Sequence, residues 1–526
     1  MSNLANTKQV DVIVLGAGFG GALTAMVAFQ KGCSVLLIEK GQHPRMMIGE
    51  STTPLTNLLM EEIACDFNLP FLQDFTQWGK WKTTHPTMRV GLKRGFSFYN
   101  HQQKAFSSHR TEWDRELLVA ASPNDTLADT QWWREDWDAY LVDQCKKLGI
   151  EYWDNTETIG LNEASDGITL RLKNSCNEMK VKGRLLVDAC GGGMGVAKLL
   201  NIQKKPLKHT PDTFAVYTHF NNVEPCEPPN PKHLPYPPEQ AAIHHLIDGG
   251  WIWSLRFDHG PVSAGAVLTD GHYHSIKDQA PASIWSKLVK KYPSINRFFK
   301  NATPMYPMRK IDRVGFQMER THGNRWIMLP SSAGFVDPLL STGFPITLQG
   351  IQRLGDFISP QALNELRPIS NLKTLANASL TELDISDQMI GTLYETMDEF
   401  RHFAATTLLY FASVSFTETA RRLKRKHLAP GFLFSERKEL SDHLISTLMK
   451  IQDIHHNHQT KEEKWSALRS LIDQAIDPIN VIGLRAESCS PYFSAESTPL
   501  MNNADKLEVS SLEIKNMLIR LGLAPN

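Results

Sequence analysis

The chain has 526 residues, with 56 Lys plus Arg against 56 Asp plus Glu. That length can bury a large core, in two or three domains or in one cofactor-binding body with additions. Balanced charge gives no electrostatic ground for a nucleic-acid or anionic-membrane partner, and seven cysteines with no CxxC pair argue against a metal centre or disulfide framework and suit a reducing cytoplasm.

The opening decapeptide, "MSNLANTKQV", lacks the basic start and apolar core of a signal peptide, so a cytoplasmic protein is expected. Residues 12–15 read as a buried strand. It leads into Gly16-x-Gly18-x-x-Gly21, an alanine-rich helix and a second strand ending at Glu39. The first glycine permits a tight turn, the second lets a pyrophosphate approach the backbone, and the third packs helix on strand. The helix N-terminus supplies amides and partial positive charge, and Glu39 lies near the spacing of a ribose-binding carboxylate. A dinucleotide site follows.

The next segment, "MRVGLKRGFSFY" at 88–99, reads as one strand. Val90, Leu92, Phe96 and Phe98 alternate on one face, with Gly91, Lys93, Gly95 and Ser97 on the other. Interior strand glycines often mark a close approach. Taken alone, Lys93 belongs on a solvated strand face.

Three short segments carry a first resemblance. "PRMMIGES" holds Arg45, Gly49, Glu50 and Ser51, "WWREDWDAYLV" holds Arg134 and Asp138, and "GRLLVDACGGG" holds Asp188 and Gly191. Their order and spacing resemble the R-x-x-x-G-E-S turn, the R-x-x-x-D helix and the D-x-x-G strand end of flavoproteins of the para-hydroxybenzoate hydroxylase type. That resemblance implies FAD. The "CGGGMG" stretch has no second strand ending in an acid, so no second nucleotide fingerprint is found. The expectation is that the flavin arrives already reduced, from a separate NAD(P)H flavin reductase.

Residues 224–238 are rich in proline, which withholds backbone donors, and read as a long ordered loop between strands. "GGWIWSLRF" follows, with Trp251 and Trp253 sharing one strand face. Further on, "FVDPLLSTGFP" places Pro345 in the first turn of a helix, where its missing amide costs nothing, and turns the amides around Ser341–Gly343 toward an anion. After about residue 358 helical periods take over. The run "FAATTLLYFASVSF" from Phe403 is too short and hydroxyl-rich to span a bilayer and reads as a buried helix. The stretch at 479–503 reads as loop.

Phe335-x-x-Pro338-x-x-Ser341-x-Gly343, the K-x-x-x-x-F pattern from Lys93 to Phe98 and the tryptophan pair resemble the flavin-dependent halogenases, most closely the tetracycline-type chlorinases. The resemblance implies an α/β fold: a Rossmann-like FAD-binding domain of the para-hydroxybenzoate hydroxylase type, a mixed β-sheet substrate domain and a C-terminal helical region. It divides the chain into FAD-binding parts at 1–84 and 129–205, Lys93-bearing strands at 85–128, a substrate domain at 206–320, an FAD and halide segment at 321–357, and the helical region at 358–526.

It also implies roles. Gly16, Gly18, Gly21, Glu39, Arg45, Gly49, Glu50, Ser51, Arg134, Asp188 and Asp337 hold FAD. Ser341, Thr342 and Gly343 seat chloride or bromide. Trp251, Trp253, Phe335 and Pro338 separate flavin from substrate. Lys93 carries hypohalous acid, by hydrogen bond or as a haloamine, through a passage left by its glycine neighbours to an electron-rich ring. Leu255 and Arg256 depart from the family's W-x-W-x-I-P, which keeps an aromatic monooxygenase open as an alternative, beside a catalytically silent FAD-binding protein. Leu340 stands where indole-halogenating members have a glutamate base, which favours a phenol or pyrrole, free or carrier-bound. His244 and His245 are acid–base candidates whose ordinary role is structural.

Overall fold

The computed structural model describes residues 7–101, 112–175, 177–192, 195–226, 234–364 and 371–523. The strand Lys8–Leu15 enters the core as Val12, Ile13, Val14 and Leu15, all buried. It pairs in parallel with Val35–Ile38 on one side and Glu178–Asp188 on the other. The helix Phe19–Gln30 crosses between the first two. Gly16, at φ 90°, makes the turn, and a Cβ at Gly21 would fall 1.8 Å from the Gly16 carbonyl oxygen. Only glycine lets the helix sit that close to the strand end.

Among the described residues this sheet has seven strands, extended by Glu151–Trp153, Gly167–Lys173 and Glu157–Ala164. Trp326–Met328 joins the last turn of Glu178–Asp188 in parallel and so returns the chain to the dinucleotide end. A nine-stranded sheet carries Gly95–Asn100, Glu116–Ala120, Thr213–Asn221, Ala242–Ile247, Gly250–Arg256 and Val262–Thr269. Helices Pro281–Lys291 and Pro293–Phe299 cover one face of it through Trp285, Leu288, Phe298 and Phe299.

The other side of the molecule is helical. Asn371–Thr396 and Phe400–Arg422 share one continuous core with the helix Phe19–Gln30 and the helix Gly343–Phe357. The apolar run from Phe403 is buried inside Phe400–Arg422, and no helix among the described residues is long and apolar enough to cross a membrane.

Two expectations change. The 88–99 segment is two strands, not one. Val90–Lys93 pairs with Asp129–Trp132 in a small ladder, and Gly95–Asn100 enters the large sheet, with Arg94 as the corner. The corner is held because the Arg94 amide donates to the Gln240 carbonyl and its guanidinium pairs with Asp125 at 2.7 Å. The 479–503 stretch is not all loop either. Tyr492–Phe493 adds to the large sheet, parallel to Glu116–Ala120. Part of the proline-rich loop, 227–233, lies outside the described residues.

Candidate active site

The glycine turn, the GES turn and the segment 335–343 converge. Gly18 is where the helix Phe19–Gln30 begins, and the nearest atoms to a Cβ there would be the tips of Arg134, Asp138 and Arg45 at 3.7–3.9 Å. The ground before that N-terminus is a cradle rimmed by guanidinium groups, which suits a pyrophosphate. Arg134 is fixed by Asp138 at 2.8 and 2.9 Å and donates to the carbonyls of Ile48 and Gly49. Glu39 accepts from the amides of Ala17 and Gly41, and its carboxyl is held below the usual range by those bonds and Arg45, against the opposing effect of burial. The buried Arg45 Nε and Ser51 Oγ have no partner among the described residues. A bound FAD fits this donor set.

Beside the cradle lies a cavity of about 220 Å³, walled by Gly49, Glu50, Ser51, Trp251, Trp253, Phe335, Pro338 and Ser341–Gly343. Glu50 is anchored to the large sheet by buried His219, whose Nε2 lies 2.6 Å from the carboxylate. Ser341 adopts φ 54°, a left-handed conformation that costs a non-glycine residue free energy. It turns the chain so that the helix Gly343–Phe357 begins at the cavity, with Pro345 in its first turn. Asp337 is turned inward: Oδ1 accepts from the Leu339 amide and Oδ2 from the Tyr394 hydroxyl, both at 2.9 Å. The same hydroxyl accepts from Trp251 Nε1 at 3.1 Å. Burial lifts the Asp337 carboxyl to about 7, with the Leu339 and Tyr394 bonds opposing.

The tryptophan rings lie 6.1 Å apart, and Trp251, Trp253 and Leu255 all face the cavity. Arg256 points off the opposite face, donating to the carbonyls of Val223 and Glu224 at 3.0 and 3.3 Å. Its replacement of proline therefore leaves this wall intact. His244 also lines the cavity, stacked 4.7 Å from Phe98. Burial first, and the Lys93 charge second, push it down to about 3. It is a neutral packing group at ordinary pH. His245 faces away and meets His101 at 2.9 Å.

Lys93 is wholly buried. Its ammonium donates to the Thr52 carbonyl at 2.5 Å and stands 3.8 Å from the centre of the Phe96 ring. Thr52 lies between Ser51, in the wall of the first cavity, and Thr53, in the wall of a second cavity of about 560 Å³. The second cavity is lined by Phe96, Asn57, Asp129, Tyr410 and Phe411. Lys93 thus occupies the partition. Burial drives its amine down to about 7, opposed by the charge of Asp129. Burial drives Asp129 up to about 7, opposed chiefly by Lys93.

The neighbouring glycines serve packing, not passage. A Cβ at Gly91 would come within 2.3 Å of the Arg256 carbonyl oxygen, and one at Gly95 within 2.2 Å of that of Val119. No solvated face exists here.

The family model for tryptophan halogenases matches residues 130–398, more than half of the chain. The chain belongs to that family. The halogenase is similar to monodechloroaminopyrrolnitrin halogenase PrnC of Pseudomonas fluorescens, at 25% identity over 76% of this chain and 70% of the relative. It is 23% identical to tetracycline 7-halogenase of Kitasatospora aureofaciens, over 66% of this chain and 63% of that one. The crystal structure of halogenase PltM in complex with phloroglucinol and FAD shares its fold, with a TM-score of 0.82 over 92% of this chain and 99% of that one at 23% identity. The halogenase is an FADH2-dependent oxidoreductase whose cofactor is FAD. Its α/β fold has a Rossmann-like dinucleotide layer, a mixed sheet and a helical C-terminal region.

Within the halogenase, Asp188 and Asp337 are both held by bonds from the protein itself. The carboxylates of Asp188 and Asp337 lie outside the cavity wall. Asp188 accepts from the amides of Cys190 and Val196 at 3.0 and 2.6 Å, so both acids brace loops whose backbone shapes the site. Sequence reasoning missed Asp129, Asn57, Tyr394 and Tyr410. Asp129 stands in "LADTQWW", an acid with no motif around it, and only the strand register reveals its partner.

Proposed function

We propose that the halogenase chlorinates or brominates an electron-rich phenol or pyrrole, with Lys93 relaying the oxidant between the two cavities. The observation that carries this reading is the position of the Lys93 ammonium, bonded to the Thr52 carbonyl in the partition between them. When bound and reduced, FAD supplies with dioxygen the oxidising oxygen that turns halide into hypohalous acid. Reducing equivalents come from a separate NAD(P)H flavin reductase.

Gly16, Gly18, Gly21, Glu39, Arg45 and Arg134 hold the dinucleotide, and Gly49, Glu50 and Ser51 wall its ring. The helix start at Ser341, Thr342 and Gly343 seats halide through amides and the helix dipole. Trp251, Trp253, Phe335 and Pro338 keep an arene off the flavin. Lys93 either hydrogen-bonds hypohalous acid or forms an N–X bond with it as the O–X and N–H bonds break and water leaves, and passes the halogen on. A buried amine depressed toward neutrality is basic enough to bind the acid and free enough of its proton to act as a nucleophile. Leu340 is fully buried and offers only its carbonyl, which accepts from Tyr410 at 2.8 Å, so it supplies no base for an indole.

A panel of phenols, pyrrole-2-carboxylate (free and as its pantetheine thioester) and tryptophan tests the reading. With reduced FAD, dioxygen and chloride or bromide, product masses should show halogen in phenol or pyrrole and none in tryptophan. Oxygen insertion without halogen, or tryptophan as the preferred substrate, would contradict it.

A further inference from the structure

The partition that holds Lys93 also holds an acid. Antiparallel register sets Asp129 directly opposite Lys93, on the same face of the ladder. Asp129 Oδ1 accepts from Asn57 Nδ2 at 2.7 Å, which fixes the carboxyl plane. Oδ2 is buried and has no hydrogen-bond partner among the described residues. The residue is 3% exposed, yet it lines the larger cavity together with Asn57, Phe96, Tyr410 and Phe411. A buried carboxylate oxygen left unpaired is costly, and a ligand donor entering the cavity would remove that cost. The other charged groups acting on Asp129 are Lys93, Glu418 and Arg422. Arg422 is itself paired with Glu61 and Glu418, so it is not free to neutralise Asp129 fully.

We propose that Asp129 accepts the hydroxyl proton of a phenol bound in the larger cavity, so that the halogenase selects ionisable phenols over arenes of equal shape that lack the proton. This rests on the relay reading of Lys93 and narrows its substrate class. The phenol O–H bond breaks, the proton passes to Oδ2, and the ring becomes far more nucleophilic. A ring carbon then forms its bond to halogen with a π electron pair as the O–X bond of hypohalous acid breaks. The departing hydroxide takes a proton from the Lys93 ammonium and leaves as water. The freed amine collects the ring proton as aromaticity returns, and Asp129 gives its proton back to the phenolate. The ring carbon is oxidised and the halogen reduced, with no further co-reactant.

The test compares phloroglucinol dimethyl ether, phloroglucinol trimethyl ether and para-nitrophenol, which ionises unaided in mildly alkaline buffer. Each rate is divided by that of free hypohalous acid with the same arene. Wild-type enzyme should favour the dimethyl over the trimethyl ether by about 100-fold, the lower range of general-base catalysis. Asp129→Asn should lose about 100-fold on the dimethyl ether but recover to within about 10-fold of wild type on para-nitrophenol. FAD binding and trapped hypohalous acid should not change. Equal wild-type rates on the two ethers, which need no variant, would overturn the proposal. So would a uniform loss, or no loss, across the phenols in Asp129→Asn. Failure of the relay reading looks different: Lys93→Ala would then keep halogenating arenes, whatever Asp129→Asn does.

Discussion

At the residue scale, the glycines flanking Lys93 show how a correct local signal can carry a wrong cause. Close approach was legible from two glycines in a strand, but the thing approaching is backbone, not oxidant. At Gly95 an added methyl would meet the Val119 carbonyl oxygen at 2.2 Å and the Tyr236 ring at 2.9 Å. Gly95→Ala should therefore lower stability by about 1–3 kcal/mol, the usual cost of overpacking. Denaturant unfolding checks this. An unchanged midpoint with loss of arene halogenation would restore the passage. Lys93 itself was legible only by resemblance, because its alternation pattern fits a solvated face equally well. Asp129 was not legible at all, since strand register joins positions that no sequence spacing connects.

At the element scale, the dinucleotide unit could be read almost whole. A buried strand, three glycines, a helix and an acid are local features, and local physics decides them. The corner at Arg94 could not be read, because the strand pattern continues through it while the pairing partner changes from Asp129–Trp132 to Glu116–Ala120 and Ala242–Ile247. The helical region also shapes the site. Tyr394, on Asn371–Thr396, ties the segment before the helix Gly343–Phe357, through Asp337, to the tryptophan strand, through Trp251. Tyr394→Phe removes the hydroxyl that bridges a buried carboxyl oxygen and an indole N–H, and should cost about 1–3 kcal/mol of stability. Unfolding midpoints against wild type give the comparison, and an equal midpoint would show that the three-way contact contributes nothing.

At the scale of the whole molecule, the chain sets two of its cavities side by side and closes the space between them. The dinucleotide layer, the helix Gly343–Phe357 and the tryptophan strand of the large sheet wall one, and the large sheet, Phe400–Arg422 and the C-terminal residues Phe493–Thr498 wall the other. Lys93 stands at their boundary, wholly buried and bonded to the carbonyl of Thr52, whose chain neighbours Ser51 and Thr53 line one cavity each. In the proposed relay, this arrangement separates making the oxidant from using it. Measuring both in the same reaction of Lys93→Ala, with reduced FAD, bromide and a phenol, tests that separation most directly. Lys93→Ala should show wild-type FAD binding and oxygen consumption, hypohalous acid trapped in solution, and no halogenated phenol beyond what free acid produces. Halogenated phenol formed at the wild-type rate, with no acid escaping to the trap, would contradict it.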